Sequence, residues 1–326
     1  MAQLRYGAAI GQALADAMQD DPTVVIMGED IAGAGGSFGI TRGLLDKFGP
    51  ERVIDTPISE AAIAGMAVGA AMSGLKPVLE IMFMDFTTLA MDAMVNQAAK
   101  ARFMFGAQVS VPMVLRTPHG GGLSAGPQHS QCLEAWFAHV PGLKVVCPSG
   151  PANAYGLLRA AIADPDPVVF VEHKGLYAMR DEVPEVLAPI PLGQAAVVRS
   201  GEHVTVVAYG AAVALAMQTA EQLASESISV EVIDLQTIQP WDEAAVLASL
   251  AKTGHLVVVH EAVEAFGVGA EIAARMAELG FSYLKGPIVR VGAPFMPVPF
   301  SAELEATYRP SVSRLIAAVR KALGKE

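Results

Sequence analysis

Residues 53–81 read VIDTPISEAAIAGMAVGAAMSGLKPVLEI, and this stretch decides the fold. A short β-branched run at 53–55 is followed by a helical run at 60–73 and a second apolar run at 77–81. A strand, a helix and a strand within thirty residues form a crossover unit, which joins two parallel strands of one sheet. The same alternation continues on both sides. Residues 24–27, 113–117, 144–147 and 168–172 also read as strands, with helices at 4–18, 89–105 and 152–163. The strands are nearly continuous apolar runs, as burial on both faces requires.

The central helix is unusual. Ala61, Ala62, Ala64, Gly65, Ala67, Gly69, Ala70 and Ala71 make it small on every face, and it lacks the polar stripe of a solvent-facing helix. Small side chains let another backbone approach, so the helix is expected to be buried, at a subunit interface.

Farther along, Pro184, Pro189 and Pro191 interrupt the pattern. It restarts with strands at 204–209, 230–235, 256–260 and 288–291 and helices at 211–225, 243–252, 269–279 and 312–323. The expectation is an α/β protein of two domains, 1–183 and 201–326, with a linker at 184–200. A chain of 326 residues suits two such domains.

Composition excludes several functions. With a net charge of −11 and no basic stripe, a nucleic-acid partner is not expected. Cys132 and Cys147 are the two cysteines and form no CxxC pair, which points to a reducing compartment. No apolar run is long enough for a membrane span, and no signal-peptide core follows Arg5; a cytoplasmic location is expected. The charged fraction is 17%, low enough to suggest that surface is covered by other subunits.

One loop carries misleading motifs. His119-Gly120-Gly121-Gly122 resembles an oxyanion loop, and Gly122-Leu123-Ser124-Ala125-Gly126 matches the nucleophile elbow of serine hydrolases. An elbow needs its serine on a sharp turn between strand and helix, whereas here the apolar run ends near Thr117. The two elements also come from separate parts of a hydrolase chain, so a serine hydrolase is the weaker alternative. Gly33 to Gly39 does not satisfy GxGxxG, and no histidine pair has metal-ligand spacing.

Several segments together resemble the beta subunits of thiamine-diphosphate-dependent 2-oxo-acid and acetoin dehydrogenases. They are Gly28-Glu29-Asp30, Asp55-Thr56-Pro57-Ile58-Ser59-Glu60, Ala67-Val68-Gly69-Ala70-Ala71, Gln128-His129-Ser130-Gln131, Pro141-Gly142-Leu143-Lys144-Val145-Val146 and Val298-Pro299-Phe300. The resemblance implies a pyrimidine-binding domain followed by a transketolase-type C-terminal domain.

It also implies roles for individual residues. Glu60 would hydrogen-bond N1′ of the cofactor's aminopyrimidine and favour the imino tautomer that removes the C2 proton. An apolar setting suits a glutamate that must keep a proton; without the resemblance, Glu60 reads equally as a helix N-terminal carboxylate. Glu29 would belong to a proton-relaying chain of carboxylates. Ile58, Met82 and Phe86 would line or pack on the pyrimidine, although a Met and an aromatic at that spacing are commonly core. His129 would stand at the active-site mouth, where an imidazole can donate or accept a proton. Carbonyls of Met113, Ala161 and Ile162, with Asp164 and Asp166, would form an oxygen cage for a structural potassium ion.

The family's Gly-Asp-Gly motif for diphosphate and magnesium is missing, for the sequence has no Gly-Asp dipeptide. The resemblance therefore implies an alpha subunit that holds Mg2+ and the diphosphate in an α2β2 heterotetramer, and a lipoyl-bearing acyltransferase that takes the acyl group. Phe83-Met84-Asp85-Phe86, Asn96-Gln97-Ala98-Ala99-Lys100 and Glu172-His173-Lys174 look closest to acetoin-type chains, with pyruvate or a branched-chain 2-oxo acid as the alternative substrate.

Overall fold

Fourteen strands are formed among residues 2–325, which a computed structural model describes: β1 (Ala2–Arg5), β2 (Val24–Gly28), β3 (Val53–Asp55), β4 (Lys76–Glu80), β5 (Val114–His119), β6 (Lys144–Val146), β7 (Val168–His173), β8 (Arg180–Val183), β9 (Ala196–Arg199), β10 (Val204–Ala208), β11 (Val230–Asp234), β12 (Thr237–Gln239), β13 (Leu256–Val263) and β14 (Val289–Ala293). They serve two units, one of residues 1–119 and 136–192, the other of 120–135 and 193–326.

In the first unit β6, β7, β5, β4, β2 and β3 lie side by side, every pair parallel. β2, β5 and β7 are buried at every residue, as the unbroken apolar runs require of a sheet covered on both faces. The crossover quoted above takes its expected form: β3, the helix Glu60–Met72, then β4, with β2 between the two strands. A second, two-stranded pairing joins β1 and β8 antiparallel.

The helix Glu60–Met72 buries Ile63, Ala64, Ala67, Val68 and Ala71 but leaves Ala61, Ala62, Gly65, Met66 and Gly69 exposed within this chain. The expectation of burial on every face is thus met by the chain on one face only. The other is apolar and has nothing within 4 Å of where a Cβ at Gly65 or Gly69 would stand. The expected helix at 89–105 is instead a 3₁₀ turn (Met84–Ala90), a π turn (Ala93–Ala98) and an α turn (Ala99–Met104). Hydrophobic spacing does not separate these windings over so few residues.

The second unit orders its strands β14-β13-β10-β11-β9, parallel except for β9. Its core packs Val204, Val206, Val230, Val232, Val257 and Val259 against helices Ala212–Ala224 and Val312–Ala322. The units divide at Leu192/Gly193, within the 184–200 stretch, whose residues Ala196–Arg199 are β9. Ile190 closes on the first unit: its amide bonds the Gly156 carbonyl at 3.0 Å, and its side chain fills the space a Cβ there would need. Among the described residues no helix is long and apolar enough to cross a membrane.

Candidate active site

Parallel sheets place chemistry at the carboxyl ends of their strands, and the first unit concentrates acids there. Glu29 follows β2, Glu60 opens the helix after β3, and Glu80 ends β4. Three contacts dock the Asp55–Glu60 turn onto the end of β2. The Thr56 amide donates to the Gly28 carbonyl at 2.9 Å, the Ala32 amide to Asp55 Oδ1 at 2.6 Å, and the Ser59 amide to the Glu29 carboxylate. Pro57 cannot donate, so the turn is held by the residues around it.

Glu29 and Glu60 are 3% and 6% exposed, which is rare for unpaired acids. Burial raises the Glu29 carboxyl above its ordinary range; the neighbouring Glu60 raises it further, and the Ser59 amide opposes both. Its Oε1 is buried without a hydrogen-bond partner in the chain. A carboxyl raised in this way, beside a second buried acid, can pass or hold a proton. Ile58, on the same turn, is 79% exposed. Met82 and Phe86 are half-buried on the segment after β4, and the Phe86 ring meets Phe83 edge-on at 5.9 Å.

His129 belongs to the other unit. Its segment, 120–135, is fixed there by the Gly121 amide on Glu261 Oε1 (2.6 Å), the Ser124 amide on Glu305 Oε2 (3.0 Å) and Tyr209 Oη on Glu134 (2.8 Å). Phe300 lies against Gly126, where a Cβ would come 2.3 Å from the ring; this close approach explains the glycine before QHSQ and the phenylalanine of Val298-Pro299-Phe300. The hydrolase reading fails on the same geometry. Ser124 sits in irregular chain five residues past β5 and well before the helix Glu134–Ala138. The Gly121 and Ser124 amides also already donate to carboxylates instead of forming an oxyanion hole.

The expected potassium ligands lie around the turn between the helix Pro151–Ala163 and β7. Both Asp164 oxygens are 2.6 Å from Lys144 Nζ, and Asp166 Oδ1 is 2.5 Å from Arg102 Nε. The Met113 carbonyl accepts from Val168 and the Ala161 carbonyl from Asp164.

Sequence reading missed a buried ion cluster. Arg116, in β5, is 1% exposed and sends two hydrogen bonds to Glu172 (2.7 and 3.0 Å) and one to Glu80 (2.8 Å); Tyr177 Oη donates to Glu172 at 2.6 Å. Burial raises the Glu80 carboxyl, Arg116 lowers it and Glu172 raises it again. The signal was present: an arginine inside an apolar strand of a sheet covered on both faces must find carboxylates.

The chain matches two family models, transketolase pyrimidine-binding domain over residues 2–180 and transketolase C-terminal domain over residues 193–315. It is 46% identical over 325 residues to the acetoin:2,6-dichlorophenolindophenol oxidoreductase subunit beta of Cupriavidus necator, covering 97% of this chain and 96% of that one. It is 45% identical over 318 residues to the pyruvate dehydrogenase E1 component subunit beta-2, mitochondrial, of Oryza sativa subsp. japonica, covering 96% and 85%. Among solved structures it resembles a split-gene transketolase described as an inactive beta4 tetramer, with a TM-score of 0.79, 25% identity and 97% coverage of both chains.

Proposed function

The chain belongs to the family of pyruvate and acetoin dehydrogenase beta subunits, and on that premise we propose that it contributes the pyrimidine half of a thiamine-diphosphate site shared with an alpha subunit. The observation that carries this reading is the pair Glu29 and Glu60, buried at the strand ends with one carboxylate oxygen left without a partner. Such a pair suits a heterocycle that must be hydrogen-bonded and must exchange a proton. Thiamine diphosphate, when bound, supplies the nucleophilic carbon and the electron sink for cleaving the bond beside a carbonyl.

Glu60 would hold the proton at N1′ of the aminopyrimidine. Glu29, raised by burial and by Glu60, would take up or return it. Ile58, Met82 and Phe86 would exclude water from the ring, with exposed Ile58 covered by the partner. His129 would donate to, or accept a proton from, the substrate oxygen or the lipoyl group. Magnesium and the diphosphate fall to the alpha subunit, because this sequence lacks any Gly-Asp dipeptide.

The assembly we propose is an α2β2 heterotetramer that hands its acyl group to a lipoyl-bearing acyltransferase in the cytoplasm. The exposed apolar face of the helix Glu60–Met72 supports such an assembly, as does the exposure of Leu89, Phe103 and Met104. The carbonyls of Met113, Ala161 and Ile162 with Asp164 and Asp166 suit a structural potassium ion. There Lys144 and Arg102 already share the charge of the two carboxylates.

Acetoin is the substrate we favour over pyruvate or a branched-chain 2-oxo acid. Two of the three segments that resemble acetoin-type chains meet in space, where Lys174 Nζ stands 5.2 Å from the Phe83 ring centroid. Dye-linked turnover of the complex with each substrate tests the choice; strong activity on pyruvate with none on acetoin reverses it. Glu60→Gln keeps the shape but cannot supply the carboxyl proton, so it abolishes turnover of either substrate. Full activity in that variant removes Glu60 from the mechanism.

A further inference from the structure

Lys174 is 4% exposed, in a 3₁₀ turn (Lys174–Leu176) directly after β7. Lysine is among the residues least often fully buried, because its ammonium loses hydration. Here the ammonium stands over the Phe83 ring, within the 6 Å range of a cation–π contact. Phe83 is held from other sides as well: Phe38 meets it edge-on at 6.0 Å, and Tyr177, whose hydroxyl is tied to buried Glu172, lies against Phe38 at 4.8 Å with the rings tilted by 34°. The Phe83 ring in turn meets Phe86 at 5.9 Å and 85°, while the Phe86 amide bonds the Phe83 carbonyl at 3.0 Å.

We propose that Lys174 is a positioning residue for the pyrimidine wall, its buried ammonium fixing the Phe83 ring, which in turn packs T-shaped with Phe86. The inference rests on the reading of Phe86 as a cofactor-facing ring. A ring held by a cation over one face and by two T-shaped ring contacts keeps one orientation, so Phe86 is pre-arranged before the cofactor arrives. Pre-arrangement shows in affinity, because a loose wall must be ordered on binding. Lys174 would touch neither cofactor nor substrate.

The test is calorimetric titration of the assembled alpha–beta complex with thiamine diphosphate and magnesium, with near-ultraviolet circular dichroism of the bound state as a second readout. Lys174→Met keeps the apolar stem and removes the charge; it should weaken binding roughly tenfold, the scale of a desolvated cation–π contact. Lys174→Arg, which retains the cation over the ring, should stay within about threefold of the parent. If Lys174→Met binds like the parent while Phe86→Ala is weakened, the inference fails and the reading of Phe86 stands. If Phe86→Ala also binds like the parent, the reading of Phe86 itself fails. Equal weakening in Lys174→Met and Lys174→Arg means packing and not charge, which also overturns the proposal. Should Lys174→Met fail to assemble, Phe83→Leu decides, since loss of the ring should weaken binding similarly and unchanged affinity refutes the claim.

Discussion

Arg116→Met isolates the energetics of the sheet that carries the candidate site. The guanidinium is the cation between two carboxylates, Glu80 and Glu172, whose side chains are 7% and 0% exposed. Methionine matches the stem and deletes the charge, so both acids stay buried without the guanidinium, although Glu172 keeps the Tyr177 hydroxyl as a donor. Removing one partner of a buried ion cluster costs about 3–5 kcal/mol, because the charge left behind is not rehydrated. For a unit of this size, that lowers the melting temperature by about 10 °C.

The pH dependence has a definite sign. Burial already raises Glu80, and the variant removes the group that lowers it. A carboxyl raised in the folded state gives stability that is complete below its unfolded value near 4.5 and lost as pH rises through the folded value. Arg116→Met should therefore melt closest to the parent in acid and farthest from it at neutral pH. Replacing all three charged residues by apolar ones of matched volume should recover most of the loss. Differential scanning calorimetry of the chain at several pH values reads both effects. A melting temperature within about 2 °C of the parent at neutral pH refutes the reasoning.

Two other predictions concern positions away from the acids. Asp21 accepts from the Thr23 hydroxyl at 2.6 Å and amide at 2.8 Å and pairs with Lys76 at 3.0 Å, which lowers its carboxyl to about 2. It is 31% exposed, so after screening Asp21→Asn should cost about 1 kcal/mol at neutral pH, a difference that fades between about pH 4 and 2 and is read by urea unfolding. Gly142 has φ +101, and a Cβ there would stand 2.0 Å from the Ala99 carbonyl oxygen. Gly142→Ala should destabilise by about 2–4 kcal/mol in the same assay, and an unchanged midpoint would contradict that close approach.

Much of this was legible in the residues. The β-branched runs marked ten of the fourteen strands among the described residues, because sterics and burial favour them there whatever their partners. Asp55–Glu60 announced a turn into a helix, and the missing Gly-Asp pair is the basis of the proposed sharing of the site. What spacing could not show was long-range: that 120–135 leaves the first unit, that 196–199 pairs antiparallel as β9, and that Arg116 reaches both Glu80 and Glu172. The winding change at 84–104 was equally hidden, since the apolar positions fit several helical pitches.

Calorimetric titration of thiamine diphosphate and magnesium into the chain alone, then into the chain assembled with an alpha subunit, bears most directly on the proposed sharing of the site. Weak or undetectable heat from the chain alone and tight, magnesium-dependent binding by the assembly is the expected result. Equally tight, magnesium-dependent binding by the chain alone would contradict it.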